Sequence, residues 1–197
     1  MKKIIISGLF FMTFSINDGV SQSKAESEPA TIAEQLFLFV GRLNKEIDSF
    51  FKKEKGEKMY RTVGYFRNDL GAYLKIRRVY LDSLRKWDFK TEEKTLIMMN
   101  TTLLAKIDAL KKRIADISGL ISDDLSEDGE ALINEIEGKT VVQQIYISKL
   151  QQFLQINRRP EIKAGILEEG EGIQKNLEKT FAVTAKIRAK LKTKFNL

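Results

Sequence analysis

Apolar side chains recur every third or fourth position along most of this chain. The clearest run is Met59, Val63, Phe66, Leu70, Tyr73, Tyr80, Leu84 and Trp87, broken only at Arg77. Spacing of this kind lines one face of an α-helix, because 3.6 residues complete a turn. The row predicts a helix of about thirty residues, roughly 45 Å long at about 1.5 Å per residue, with a coiled-coil-like seam. One heptad column reads Met59, Phe66, Tyr73, Tyr80, Trp87, and the other reads Val63, Leu70, Arg77, Leu84.

Similar rows flank it. Ile32, Leu36, Phe37, Phe39, Val40, Leu43, Ile47, Phe50 and Phe51 form one too dense for a peripheral helix. Thr31-Ile32-Ala33-Glu34 is a capping-box pattern at its start, and Lys52 to Gly56 is expected to end it. Thr91 is the expected cap of a third helix carrying Leu96, Leu103, Ile107, Leu110, Ile114, Ile117 and Ile121. A fourth helix is expected from about Glu127 to Asn157, closed by Arg158-Arg159-Pro160. Gly165, Gly170 and Gly172 then punctuate a turn before a last helix with Ile173, Leu177, Phe181, Ile187, Leu191 and Phe195. No useful strand alternation accompanies these rows. The expected fold is all-α, an elongated antiparallel bundle of four to five long helices.

The first residues follow another logic. Met1-Lys2-Lys3 is positively charged, Ile4 to Ile16 is an apolar run of thirteen residues, and Asn17-Asp18 stops it. This is the layout of a secretory signal peptide, with small residues Gly19 and Ser21 placing cleavage after Ser21, and Gln22 or Ala25 as alternative sites. The run is shorter than the roughly 20 apolar residues that cross a bilayer. The expected organisation is a signal peptide at 1–21, a disordered linker at 22–30, a helical bundle at 31–159, and a Gly-rich turn with a basic C-terminal helix at 160–197. The product is expected to be exported, to the periplasm or beyond.

Composition narrows the chemistry. The chain of 197 residues contains neither His nor Cys, which removes serine and cysteine triads, imidazole acid–base pairs and thiolate metal sites. No phosphate-binding loop or dinucleotide fingerprint is present, so neither catalysis nor a cofactor or metal is expected. Asp123, Asp124, Glu127, Asp128 and Glu130 lack the alternation of a calcium loop. Their clustering suits the positive end of a helix dipole instead.

A net charge of +7 permits anionic partners without selecting one. Lys186, Lys190 and Lys194 lie four apart on one helical face and form a candidate anion-binding stripe for lipid or nucleic acid. The simpler reading is a solvated face. Tyr73, Arg77, Tyr80 and Trp87 form a candidate partner surface, since aromatic residues anchor interfaces. Their heptad register with Met59 and Phe66 points first to core.

Three features give the stretch from about Tyr60 to Arg159 a family likeness. A leader runs straight into long helices. The break Trp87-Asp88-Phe89-Lys90-Thr91-Glu92-Glu93 opens a long third helix, and the acidic turn Asp124-Leu125-Ser126-Glu127-Asp128-Gly129-Glu130 opens a fourth. This layout resembles the TrbJ/TraI group of conjugative-transfer proteins, exported helical components of type IV secretion systems. The resemblance implies a periplasmic subunit that assists pilus or channel assembly and carries over no functional residue. The expected function is therefore non-enzymatic, through contacts with envelope proteins or with further copies of the chain. The alternative is a module binding anionic lipid or nucleic acid through the basic C-terminal helix.

Overall fold

The computed structural model describes residues 31–50, 52–88, 94–138 and 160–197. The expected leader and linker, the Thr91 cap and the second half of the fourth helix lie outside them. Five helices are described: α1 (Ile32–Glu46), α2 (Lys53–Lys86), α3 (Lys94–Ser118), α4 (123–138) and α5 (Pro160–Phe195). One turn of 3-10 helix, Ile47–Ser49, continues α1. No strand occurs among the described residues, and the protein is all-α.

The start of α1 is set by its cap. The Thr31 hydroxyl accepts from the Glu34 N–H, while the Glu34 carboxylate accepts from the Thr31 N–H at 2.8 Å. Each group satisfies an amide that the helix cannot. At the start of α4, Ser122 donates from its N–H and hydroxyl to the Glu46 carboxylate at the end of α1. This joins α1 to the turn between α3 and α4.

Helix α2 meets both α3 and α5, and α5 in turn meets α1. The α2–α5 pair runs antiparallel, with Gly56 beside Phe195, Arg67 beside Phe181, Arg77 beside Gly170 and Trp87 beside Lys163. The interior follows the apolar rows: Met59, Val63, Phe66, Leu70 and Leu84 from α2, Ile107, Ile114 and Ile117 from α3, and Leu177, Ile187 and Leu191 from α5 are all buried.

Two glycine assignments differ from the expectation. Gly56 does not end a helix. It is buried inside the first turn of α2, which starts at Lys53 after a break at Phe50 and Lys52. The Gly-rich turn expected after residue 160 is instead the first third of α5, a continuous helix of 36 residues. Pro160 sits at its first position, where the missing N–H costs no hydrogen bond. Three interior glycines cost about 1 kcal/mol each relative to alanine. Burial of Ile166, Ile173 and Leu177 outweighs that cost.

Gly165 and Gly172 are exposed, and a Cβ at either would meet nothing within 4 Å. The double substitution G165A/G172A should therefore raise stability by about 1–2 kcal/mol, the sum of two exposed helix-interior gains. A higher urea midpoint would show it. An unchanged or lower midpoint would mean that one glycine is required by its surroundings.

Candidate functional site

All four residues of the expected partner surface are interior. Tyr73, Arg77, Tyr80 and Trp87 are each less than 5% exposed, Tyr80 the most at 4%. The reason is the early start of α5, whose first turns cover the C-terminal half of α2. Arg77 donates from Nη2 to the Gly170 carbonyl at 2.8 Å, and Lys163 donates to the Trp87 carbonyl at 2.5 Å. Burial raises the pKa of the Tyr73 phenol, opposed by the neighbouring Arg77. Outside this covered strip, Arg78 and Arg85 pair with Glu171.

The expected lysine stripe divides. Lys186 is exposed. Lys190 donates to the Asn44 carbonyl at 2.9 Å and to the Asp48 carboxylate at 2.7 Å. Lys194 donates to the carbonyls of Ile47 and Asp48. These carbonyls end α1 and its 3-10 turn, where the dipole favours cations; the Ile47 carbonyl also accepts from the Phe50 N–H. Two of the three lysines thus hold α1 against α5.

Two other surfaces are assembled by the fold. The first is a cleft of about 230 Å³ between α1 and α4, lined by Gln35, Leu38, Phe39, Arg42, Asp128, Ala131 and Leu132. Arg42 and Asp128 form an ion pair at its rim. Leu38 is 59% exposed beside it, although Leu36 and Leu43 on the same helix are buried. Gly129 brings the two helices close: a Cβ there would overlap the Ser118 hydroxyl and lie 3.3 Å from the Phe39 ring.

The second lies where α5 inserts a heptad column, Phe181, Arg188 and Phe195, against glycines of α2. A Cβ on Gly56 would overlap the Phe195 ring, one on Gly71 would lie 3.1 Å from Phe181, and one on Gly64 would lie 3.5 Å from the Arg188 guanidinium. Arg188 stacks over the Tyr60 ring at 4.3 Å, and Arg67 stacks over Phe181 at 3.7 Å. Arg67 also donates from Nη1 to the Phe181 carbonyl at 2.5 Å and to the Thr184 hydroxyl at 3.1 Å. Partial burial, and then the charge of Arg188, lower the pKa of Arg67. The signal for this pairing was present in the sequence. Phe181, Arg188 and Phe195 are seven apart, as are Gly64 and Gly71.

Among the described residues, no group of three or more Asp, Glu, His or Cys is arranged to hold a metal ion. No helix there is long and apolar enough to cross a membrane. Compared with protein-family models, curated proteins and solved structures, the chain matches none.

Proposed function

We propose that this protein is a non-catalytic, exported helical subunit that acts by holding other proteins through helix–helix contacts in a bacterial cell envelope. The α1–α4 cleft carries the reading. It presents exposed Leu38 beside Phe39, Ala131 and Leu132, with a polar rim of Gln35, Arg42 and Asp128. An apolar floor ringed by polar groups suits the apolar face of a partner's amphipathic helix. Burying Leu38 there would contribute about 1–2 kcal/mol. We read the whole chain as an elongated antiparallel bundle of four to five helices with coiled-coil-like seams, a rigid frame for such a cleft. The leader-like N-terminus supports export. The resemblance of residues 60–159 to the TrbJ/TraI group supports a conjugative-transfer apparatus as the setting.

A photo-crosslinking residue at position 38, activated in the native host, tests the reading. Mass spectrometry of the adducts should recover a fixed set of envelope proteins, retained through washing in high salt. Adducts only with the protein itself, or only with lipid or nucleic acid lost in salt, would sink it.

A further inference from the structure

We propose that the α2–α5 seam holds a phosphate-type oxoanion between the guanidinium groups of Arg67 and Arg188. The site goes beyond the protein-holding role and stands on separate residues.

Three observations carry it. First, the two guanidiniums sit near enough along the seam for the charge of Arg188 to act on Arg67, and no counter-charge joins them. Gly64 makes room for Arg188 on α2, and Arg67 lies three residues further along the same helix. On α5, Thr184, which Arg67 binds, lies one turn before Arg188. Neither arginine meets a carboxylate among the described residues, unlike Arg42, Arg78, Arg85 and Arg113.

Second, both are pre-organised and incompletely used. Each plane is backed by an aromatic ring, Tyr60 or Phe181. Arg67 donates to Phe181 and Thr184 through Nη1, and the buried Arg188 Nε has no hydrogen-bond partner. A guanidinium offers five donors in a fixed fork that matches the oxygens of phosphate. A buried donor without a partner carries a desolvation cost that an incoming oxygen removes.

Third, the adjoining stretches are basic on balance. Residues 57–69 of α2 contain Lys58, Arg61 and Arg67 against Glu57 and Asp69, of which Asp69 is paired with Arg113, and residues 179–197 contain six cations and no acid. With Lys190 and Lys194 occupied at the end of α1, Arg67 and Arg188 are the fixed pair within this field, and exposed Lys186 is a freely solvated member. A net positive field raises the local concentration of anions.

The ligand chemistry is a tetrahedral phosphate oxoanion, whether free or on a lipid headgroup. Calorimetric titration of the purified full chain with inorganic phosphate, at ionic strength fixed with chloride, should show saturable binding. Arg188→Gln should weaken it at least tenfold, whereas Lys186→Gln, which removes the same charge from the exposed face, should change it less than twofold. Should Arg188→Gln fail to fold, Arg188→Lys keeps the charge but loses the fork and should still weaken binding severalfold.

Vesicles of phosphatidylglycerol in phosphatidylcholine separate the sources. Vesicle binding that free phosphate displaces and Arg188→Gln abolishes assigns a headgroup. Phosphate binding without vesicle binding assigns a soluble oxoanion. Phosphate no tighter than chloride overturns the proposal, as does equal weakening by Lys186→Gln and Arg188→Gln. Oligonucleotide binding that is indifferent to Arg188→Gln while phosphate does not bind would leave only diffuse basicity, and would also overturn it.

Discussion

Leu70→Ala should lower stability by about 3–5 kcal/mol, while Leu38→Ala should leave it within about 0.5 kcal/mol. The two leucines differ only in surroundings. Leu70 is fully buried at the middle of α2, the helix that meets both α3 and α5. Deleting its isobutyl group loses about 0.8 kcal/mol per methylene in transfer and adds the cost of a cavity between helices that cannot close on it. Leu38 is 59% exposed, so its loss leaves no cavity. Urea unfolding of both variants measures this, with equal slopes reporting equal denatured states. In a chain of this size the Leu70 variant should melt about 6–20 °C lower. Equal costs at the two positions would mean that α2 is not the centre of the fold.

Arg77→Ala should cost about 3 kcal/mol, and Arg77→Met should restore only part of it, because the buried Tyr73 hydroxyl loses its Arg77 partner in both. Arg77 is 2% exposed, and its guanidinium reaches the Gly170 carbonyl on α5. Its long stem fills space between the helices, so truncation removes packed methylenes as well as a hydrogen bond. The Gly170 carbonyl belongs to a helix interior and keeps its own helical acceptor role, so it is not stranded when Arg77 is lost. Methionine replaces the stem and avoids burying a charge, which is itself expensive. Should methionine prove as harmful as alanine, the hydrogen bond rather than the stem would hold the two helices in register.

The rows spaced by three and four were legible because they rest on local periodicity. Met59, Phe66, Tyr73, Tyr80 and Trp87 are interior in the order the heptads predicted, and the Thr31–Glu34 cap forms as its pattern implies. The glycines were not legible in the same way. Backbone propensity marks Gly165, Gly170 and Gly172 as breakers, whereas their helix is sustained by contacts with α2, roughly 90 residues earlier in sequence. That one difference bears on a second point. Tyr73, Arg77, Tyr80 and Trp87 carried both a core and an interface reading in the sequence, and the helical first turns of α5 decide for the core by covering the C-terminal half of α2. Gly56, Gly64 and Gly71 likewise yield their meaning only when Phe195, Arg188 and Phe181 are set opposite them. The lysines at 190 and 194 show the same limit, since no local pattern says that the carbonyls they bind belong to α1.

Those lysines also impose an order of events. The final carbonyls of α1 and its 3-10 turn receive donors from side chains 142 to 147 positions downstream. Until α5 arrives, the end of α1 has only its local donors, such as the Ile47 and Phe50 N–H groups, and the apolar row from Ile32 to Phe50 lacks its α5 neighbour. Contacts so distant in sequence also slow closure once every residue is available. A helix made far downstream is the one that completes the first.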